Sequence, residues 1–201
     1  MLTGSDGSQA QIVLVDTPGI FSHKESDRLS KSMVHAAWTG VNDSEVILHV
    51  VDAPAYHRCL MNDGTSQDRL SVDDTIRVSN GLKRIQNKKI FLILNKIDEL
   101  AHDLTLSLIE KFRLLNIYNE IFIVSALNMD GIKKLSEYVA DLMPVSPFLY
   151  PVDQAADIPS RLMAAEITRE KIFLRLHDEL PYASTVETES WKNQKNGDIR
   201  I

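Results

Sequence analysis

Residues 11–15, Val46 to Val51, residues 89–94 and residues 120–124 are short runs rich in valine, isoleucine and leucine. Val13-Leu14-Val15, Phe91-Leu92-Ile93-Leu94 and Ile121-Phe122-Ile123-Val124 lack the polar alternation of a half-solvated strand, so they are predicted as strands buried on both faces. Between the runs the apolar positions change to helical spacing. Leu29, Met33, Ala36, Ala37 and Val41 predict a helix, Ile76, Leu82 and Ile85 a second, Leu104 to Leu115 a third, and Ile132, Leu135, Tyr138, Val139 and Leu142 a fourth, stopped by Pro144. Ala53 to Leu70 shows no period. Pro54, Asn62, Asp63, Gly64, Ser66 and Asp68 crowd into it, and the reading there is an inserted surface loop. Strands alternating with helices give an α/β fold with a mostly parallel sheet.

A cluster of prolines at 144, 147 and 151 marks a linker. Beyond it, Leu162, Ala165, Arg169, Phe173, Leu176 and Leu180 describe an amphipathic helix over residues 161–180, with Asp157 as its cap and Pro159 in the first turn. A strand is expected at 184–190, and Gly197 to Ile201 reads as another strand just begun.

Three polar motifs stand at the ends of the predicted strands: Asp16-Thr17-Pro18-Gly19, Asn95-Lys96-Ile97-Asp98 and Ser125-Ala126. In a doubly wound sheet ligands bind where the carboxyl ends of strands open into loops, so the three converge on one crevice. A carboxylate accepts two parallel N–H bonds, and guanine offers such a pair where adenine has none. Asp98 is thus a guanine reader, or, taken alone, part of a surface turn. The stem of Lys96 can cover a base face with its ammonium in water, and Asn95, donor and acceptor at once, can tie neighbouring loops together. Asp16 can hold a magnesium ion through water. Gly19 admits a backbone N–H close to a terminal phosphate, though Pro18-Gly19 is also an ordinary turn. The N–H of Ala126 can meet the guanine carbonyl, with Ser125 opening that loop. His57 and Cys59 have a spacing that permits a metal pair; without a second cluster, a mobile surface loop is the preferred reading.

Composition changes this picture little. The chain has 201 residues with 44% hydrophobic and 25% charged positions, ordinary for a globular protein. Its net charge of −6 does not suggest a nucleic-acid surface. Cys59 is the one cysteine, so it has no internal disulfide partner, and a reducing compartment follows. No apolar run reaches a membrane span, and the first residues lack a signal pattern. The expected location is cytoplasmic; membrane association stays open.

Together the three motifs resemble those of a translation-factor-type P-loop GTPase. Arg161-Leu162-Met163-Ala164-Ala165-Glu166-Ile167-Thr168-Arg169-Glu170-Lys171 and Asp178-Glu179-Leu180-Pro181-Tyr182-Ala183-Ser184-Thr185-Val186-Glu187-Thr188-Glu189 narrow this. They are similar to the start of the RNA-binding domain of the Era family, ribosome-assembly GTPases with a C-terminal KH domain. The resemblance spans residues 11–201. It implies guanine nucleotide (GTP/GDP) with Mg2+ as ligands and small-subunit rRNA and the ribosomal subunit as partners. Asp16, Thr17, Pro18, Gly19, Asn95, Lys96, Asp98, Ser125 and Ala126 would be the nucleotide-binding residues, with Asp16 serving the metal. It also implies a remnant or disordered segment at 1–10, a partial GTPase domain at 11–144, a linker at 145–157 and the beginning of a KH-type module at 158–201.

The sequence departs from the family pattern in three places: no Gly-x-x-x-x-Gly-Lys-Ser/Thr phosphate loop occurs, the threonine motif between that loop and Asp16-Thr17-Pro18-Gly19 is missing unless Thr3 is its remnant, and the KH glycine loop does not appear. Ile20 stands where Ras-type enzymes carry a catalytic glutamine. Ile20 leaves hydrolysis to another group, or is simply a core contact. The chain is therefore expected to be an interior piece with guanine selectivity, weak nucleotide and magnesium affinity and negligible turnover. The alternatives are a non-catalytic remnant or scaffold retaining the guanine-reading half, and a tRNA-modification or tandem-domain relative. In the family the strand before the phosphate loop lies between the strands at 11–15 and 45–51. Here a cleft or a direct pairing of those two is expected.

Overall fold

The structure is a computed structural model that describes residues 2–17, 38–41, 43–151, 159–175, 185–194 and 197–201. The chain divides into two compact units, Met1–Pro147 and Phe148–Ile201.

The first unit is α/β. Its centre is a parallel three-stranded sheet in the order β3 (Val46–Asp52), β4 (Lys89–Asn95), β5 (Glu120–Ile123). In β4, Ile90, Phe91, Leu92, Ile93 and Leu94 are all buried, as a strand covered on both faces requires. Even-numbered side chains of β4 point to one side. There Leu92 and Leu94 pack with Val51, Tyr56, Leu108 and Phe112, while Ile90 packs with Ile47 and Leu82. On the other face Phe91 and Ile93 meet Phe122, Val124 and Val139. The helices that cover the sheet are α1 (Ala53–Leu60), α2 (Ser66–Leu82) and α3 (His102–Arg113) on the first face and α4 (Ile132–Ala140) on the second.

Two sequence expectations fail here. The stretch from Ala53 to Leu70 is not a loop but the helical hairpin α1–α2. Pro54, read as a breaker, sits in the first turn of α1, where a missing N–H costs nothing, and Asp52 caps that turn by accepting from the Ala55 N–H at 2.9 Å. Thr65 and Asp68 form a reciprocal capping box that starts α2. Asp68 also accepts a bidentate pair from Arg58, at 2.7 and 3.0 Å, which bolts α2 to α1. The turn-forming residues that suggested a loop are thus capping residues.

Nor are residues 11–15 a buried strand. They run in irregular conformation, and Val13, Leu14 and Val15 are 45%, 79% and 65% exposed. A strand exists only through its ladder, and among the described residues no strand ladder includes this segment; Ile12 packs against the core. Residues 1–10 do not supply a central strand. Leu2–Thr3 (β1) and Gln9–Ala10 (β2) form a separate two-stranded antiparallel hairpin, tied to the end of α4 where the Ser5 N–H donates to Asp141 Oδ1 at 2.7 Å. The helix expected over Leu29 to Val41 lies mostly outside the described residues, with 38–41 helical.

In the second unit, α5 (Ser160–Arg175) opens with the Pro159 carbonyl accepting from Leu162 and Met163. Asp157 and residues 176–184 lie outside the described residues. The expected strand at 184–190 is absent over 185–190; instead β6 (Lys192–Asn193) and β7 (Ile199–Arg200) form a short antiparallel pair. Residues 185–190 are held by side-chain bonds. Thr188 Oγ1 donates to the Arg161 carbonyl at 2.7 Å, and Arg161 Nη2 donates to the Thr188 and Glu189 carbonyls.

Candidate functional site

Parallel pairing brings three strand ends level. Asp52 of β3 lies in register with Asn95 of β4, and β5 runs alongside into Val124, Ser125 and Ala126. Three polar segments therefore leave the sheet side by side.

The Asn95–Asp98 turn is shaped by its backbone. Lys96 sits at φ 63°, ψ 36°, a left-handed conformation that costs a non-glycine residue about 1–2 kcal/mol. This reversal starts a 3₁₀ turn over Ile97–Glu99, with Asp98 exposed on it. Asn95 Oδ1 accepts the Ala126 N–H at 3.0 Å, and the Ile97 N–H donates to the Val124 carbonyl at 3.3 Å. Asn95 thus ties the β4 loop to the β5 loop. The amide assigned from sequence to a guanine carbonyl is engaged with Asn95, so a base would have to share it.

The β5 loop closes on itself. Ser125 is fully buried; its N–H donates to the Asp130 carbonyl at 3.0 Å, and its Oγ accepts from the Asn128 N–H at 3.1 Å. Gly131, at φ +74°, turns the chain into α4, and a Cβ there would collide with the Ile123 carbonyl. Leu127 and Met129 are left exposed on the loop.

Lys96 does not leave its ammonium in water alone. Its Nζ pairs with Asp52 Oδ2 at 2.7 Å, which raises the lysine pKa above its ordinary value through that hydrogen bond and the charge of Asp52. Sequence reasoning passed over Asp52. The signal was there: an aspartate at a strand end followed by Ala53-Pro54 is a helix N-cap pattern.

Asn95, Lys96, Asp98, Ser125 and Ala126 are brought together. Asp16 and Thr17 are exposed in irregular chain, and among the described residues no hydrogen bond or ion pair joins them to the other loops. Pro18, Gly19 and Ile20 lie outside the described residues. His57 and Cys59 are helical residues of α1, not part of a loop. Among the described residues no group of three potential metal ligands occurs, and His57 Nε2 is buried without a hydrogen-bond partner there.

Beneath the site a buried polar chain spans the first face. His49 Nδ1 lies 2.8 Å from the Tyr118 hydroxyl, which lies 3.0 Å from Ser79 Oγ, which donates to the Thr75 carbonyl at 2.8 Å. Three contacts need three protons. An Nδ1–H on His49 donating to Tyr118, with Tyr118 donating to Ser79, satisfies all of them. Burial lowers the His49 pKa to about 4 and pushes Tyr118 up to about 12.

The α/β fold is one that known GTPases share. Residues 3–96 match the family described as 50S ribosome-binding GTPase. Two solved structures share the fold at a TM-score of 0.70 and 29% identity, covering 90% of this chain and 56% of theirs. One is Era in complex with MgGDPNP and nucleotides 1506–1542 of 16S ribosomal RNA; the other is a single-residue variant of Aquifex aeolicus Era bound to GDP.AlF4-. The chain is 49% identical over 193 residues to GTPase Era of Maricaulis maris, covering 96% of this chain and 60% of that protein. It is 44% identical over 191 residues to GTPase Era of Caulobacter vibrioides, covering 95% and 60%, and 45% identical over 192 residues to that of Brucella suis, covering 96% and 56%. Nearly all of the chain is thus similar to Era GTPases, and it spans about 60% or less of the length of these curated relatives.

Proposed function

We propose that this chain is the guanine-recognising part of an Era-type GTPase. Asn95, Lys96 and Asp98 read the base, Ser125 and Ala126 close the pocket, and Asp16 holds Mg2+ through water. Thr17, Pro18 and Gly19 approach the terminal phosphate. The observation that carries the reading is the bond from the Ala126 N–H to Asn95 Oδ1. It fastens two loops into one frame around the exposed carboxylate of Asp98, whose two oxygens match the paired N–H donors of guanine. Residues 11–144 act as the GTPase domain, 145–157 as a linker and 158–201 as the start of a KH-type module that serves small-subunit rRNA binding. The lone cysteine supports a reducing, cytoplasmic setting. Among the described residues no helix is long and apolar enough to cross a membrane.

Titration with labelled GTP, GDP and ATP tests the reading. GTP and GDP bind more tightly than ATP, and Asp98→Ala removes the difference. Equal binding of GTP and ATP, untouched by Asp98→Ala, would overturn it. Guanine-selective binding without phosphate release would favour the non-catalytic alternative.

A further inference from the structure

We propose that Asp52 is a positioning residue for the base-reading turn, holding Lys96 in the left-handed conformation from which Asp98 is presented. This rests on the guanine-reading assignment above and deepens it. The carboxylate of Asp52 is divided between two tasks. Oδ1 accepts the Ala55 N–H at 2.9 Å and so is fixed to the first turn of α1. Oδ2 accepts from Lys96 Nζ at 2.7 Å. A carboxylate already oriented by a helix terminus loses little freedom in meeting the ammonium, so the pair is better organised than a typical surface ion pair. Its side chains are 24% and 51% exposed, which leaves the stem of Lys96 along the surface.

Among the described residues the turn has three tethers to neighbouring strands and loops. Two come from β5, through the Val124 carbonyl and the Ala126 N–H. The third comes from β3 and acts on the side chain of Lys96, the residue whose positive φ sets the direction of the turn. Neighbouring charges oppose each other at this point, Glu99 attracting the ammonium and Arg58 repelling it. Asp52 decides the balance. A strained backbone persists only where its surroundings fix it, and here the fixing group is the Asp52 carboxylate.

The test separates capping from pairing. Asp52→Ser keeps an oxygen for the Ala55 N–H but cannot pair with the ammonium; Lys96→Met keeps the apolar stem and removes the charge. The full chain and these variants, single and combined, are titrated with labelled GDP and labelled ADP. The sign of φ at Lys96 is read from its intraresidue amide–Hα NOE. Expected for Asp52→Ser are loss of the positive-φ signature, about a tenfold loss in GDP affinity and unchanged ADP binding. Adding Lys96→Met costs less than about twofold more, because the interaction is already gone. Should Asp52→Ser fray α1, seen as faster amide exchange at Ala55, Asp52→Asn retains the cap and isolates the charge. A positive φ and full GDP affinity in these variants, or losses that add in the double variant, would overturn the proposal. If the unaltered chain prefers neither GDP nor ADP, the base-reading assignment fails, and the φ of Lys96 then decides the positioning claim by itself.

Discussion

The buried imidazole of His49 makes stability depend on pH in a defined window. In the unfolded chain histidine titrates near 6.5; inside the fold burial lowers that to about 4. Between those values the unfolded state binds the proton and the folded state does not, so stability is lost as pH falls. At pH 5 the loss is RT ln[(1+10^1.5)/(1+10^−1)], about 2 kcal/mol, rising toward about 3 kcal/mol below the folded value. For a domain of ordinary stability that is a large share. Asp68, held well below the usual carboxylate range by Arg58 and Thr65, loses its contribution only at lower pH. Urea denaturation at pH 7.5, 6 and 5 supplies the measurement, for the unaltered protein and for His49→Phe. The variant gives up the bond to Tyr118, about 1 kcal/mol at neutral pH, but loses about 2 kcal/mol less on going to pH 5. Parallel losses in the two proteins would refute the assignment of this window to His49.

Two further predictions concern packing and backbone. Asp68→Asn removes one partner of the capping box and weakens the Arg58 pair; a cost of about 1–2 kcal/mol is expected in denaturant melts, with faster amide exchange in the first turn of α2. Gly131→Ala forces a side chain into φ +74° and against the Ile123 carbonyl, for roughly 1–3 kcal/mol, whereas Gly7→Ala, at φ +83° but in open space, bears only the backbone part. Equal melting shifts for the two glycines would show that the collision at Gly131 is relieved by movement.

The central sheet was legible because its strands are continuous apolar runs. Ile90 to Leu94 reads as a strand covered twice, and it is one. The segment at 11–15 carries the same signal, yet pattern alone does not record whether a neighbour stands beside a strand. The α1–α2 hairpin was missed because Asp52, Pro54, Thr65 and Asp68 are both turn formers and helix starters; only the third-residue spacing of Thr65 and Asp68 distinguishes the two. At the site, motif residues announced the loops that meet, but not the tethers. Asp52 lies 44 positions before Lys96, and parallel register makes them neighbours.

That register also shapes how the chain must fold. β3 and β4 align Val46 with Lys89, 43 residues apart, with no tight turn to nucleate them. Closing so long a segment is entropically slow. The α1–α2 hairpin lies within it, and Arg58 meets Asp68 only ten residues away. Once that local hairpin has formed, the effective length left to close is far shorter. The helices that cover the first face therefore act during folding as a splint, and a substitution that weakens the hairpin slows the pairing of strands it never touches.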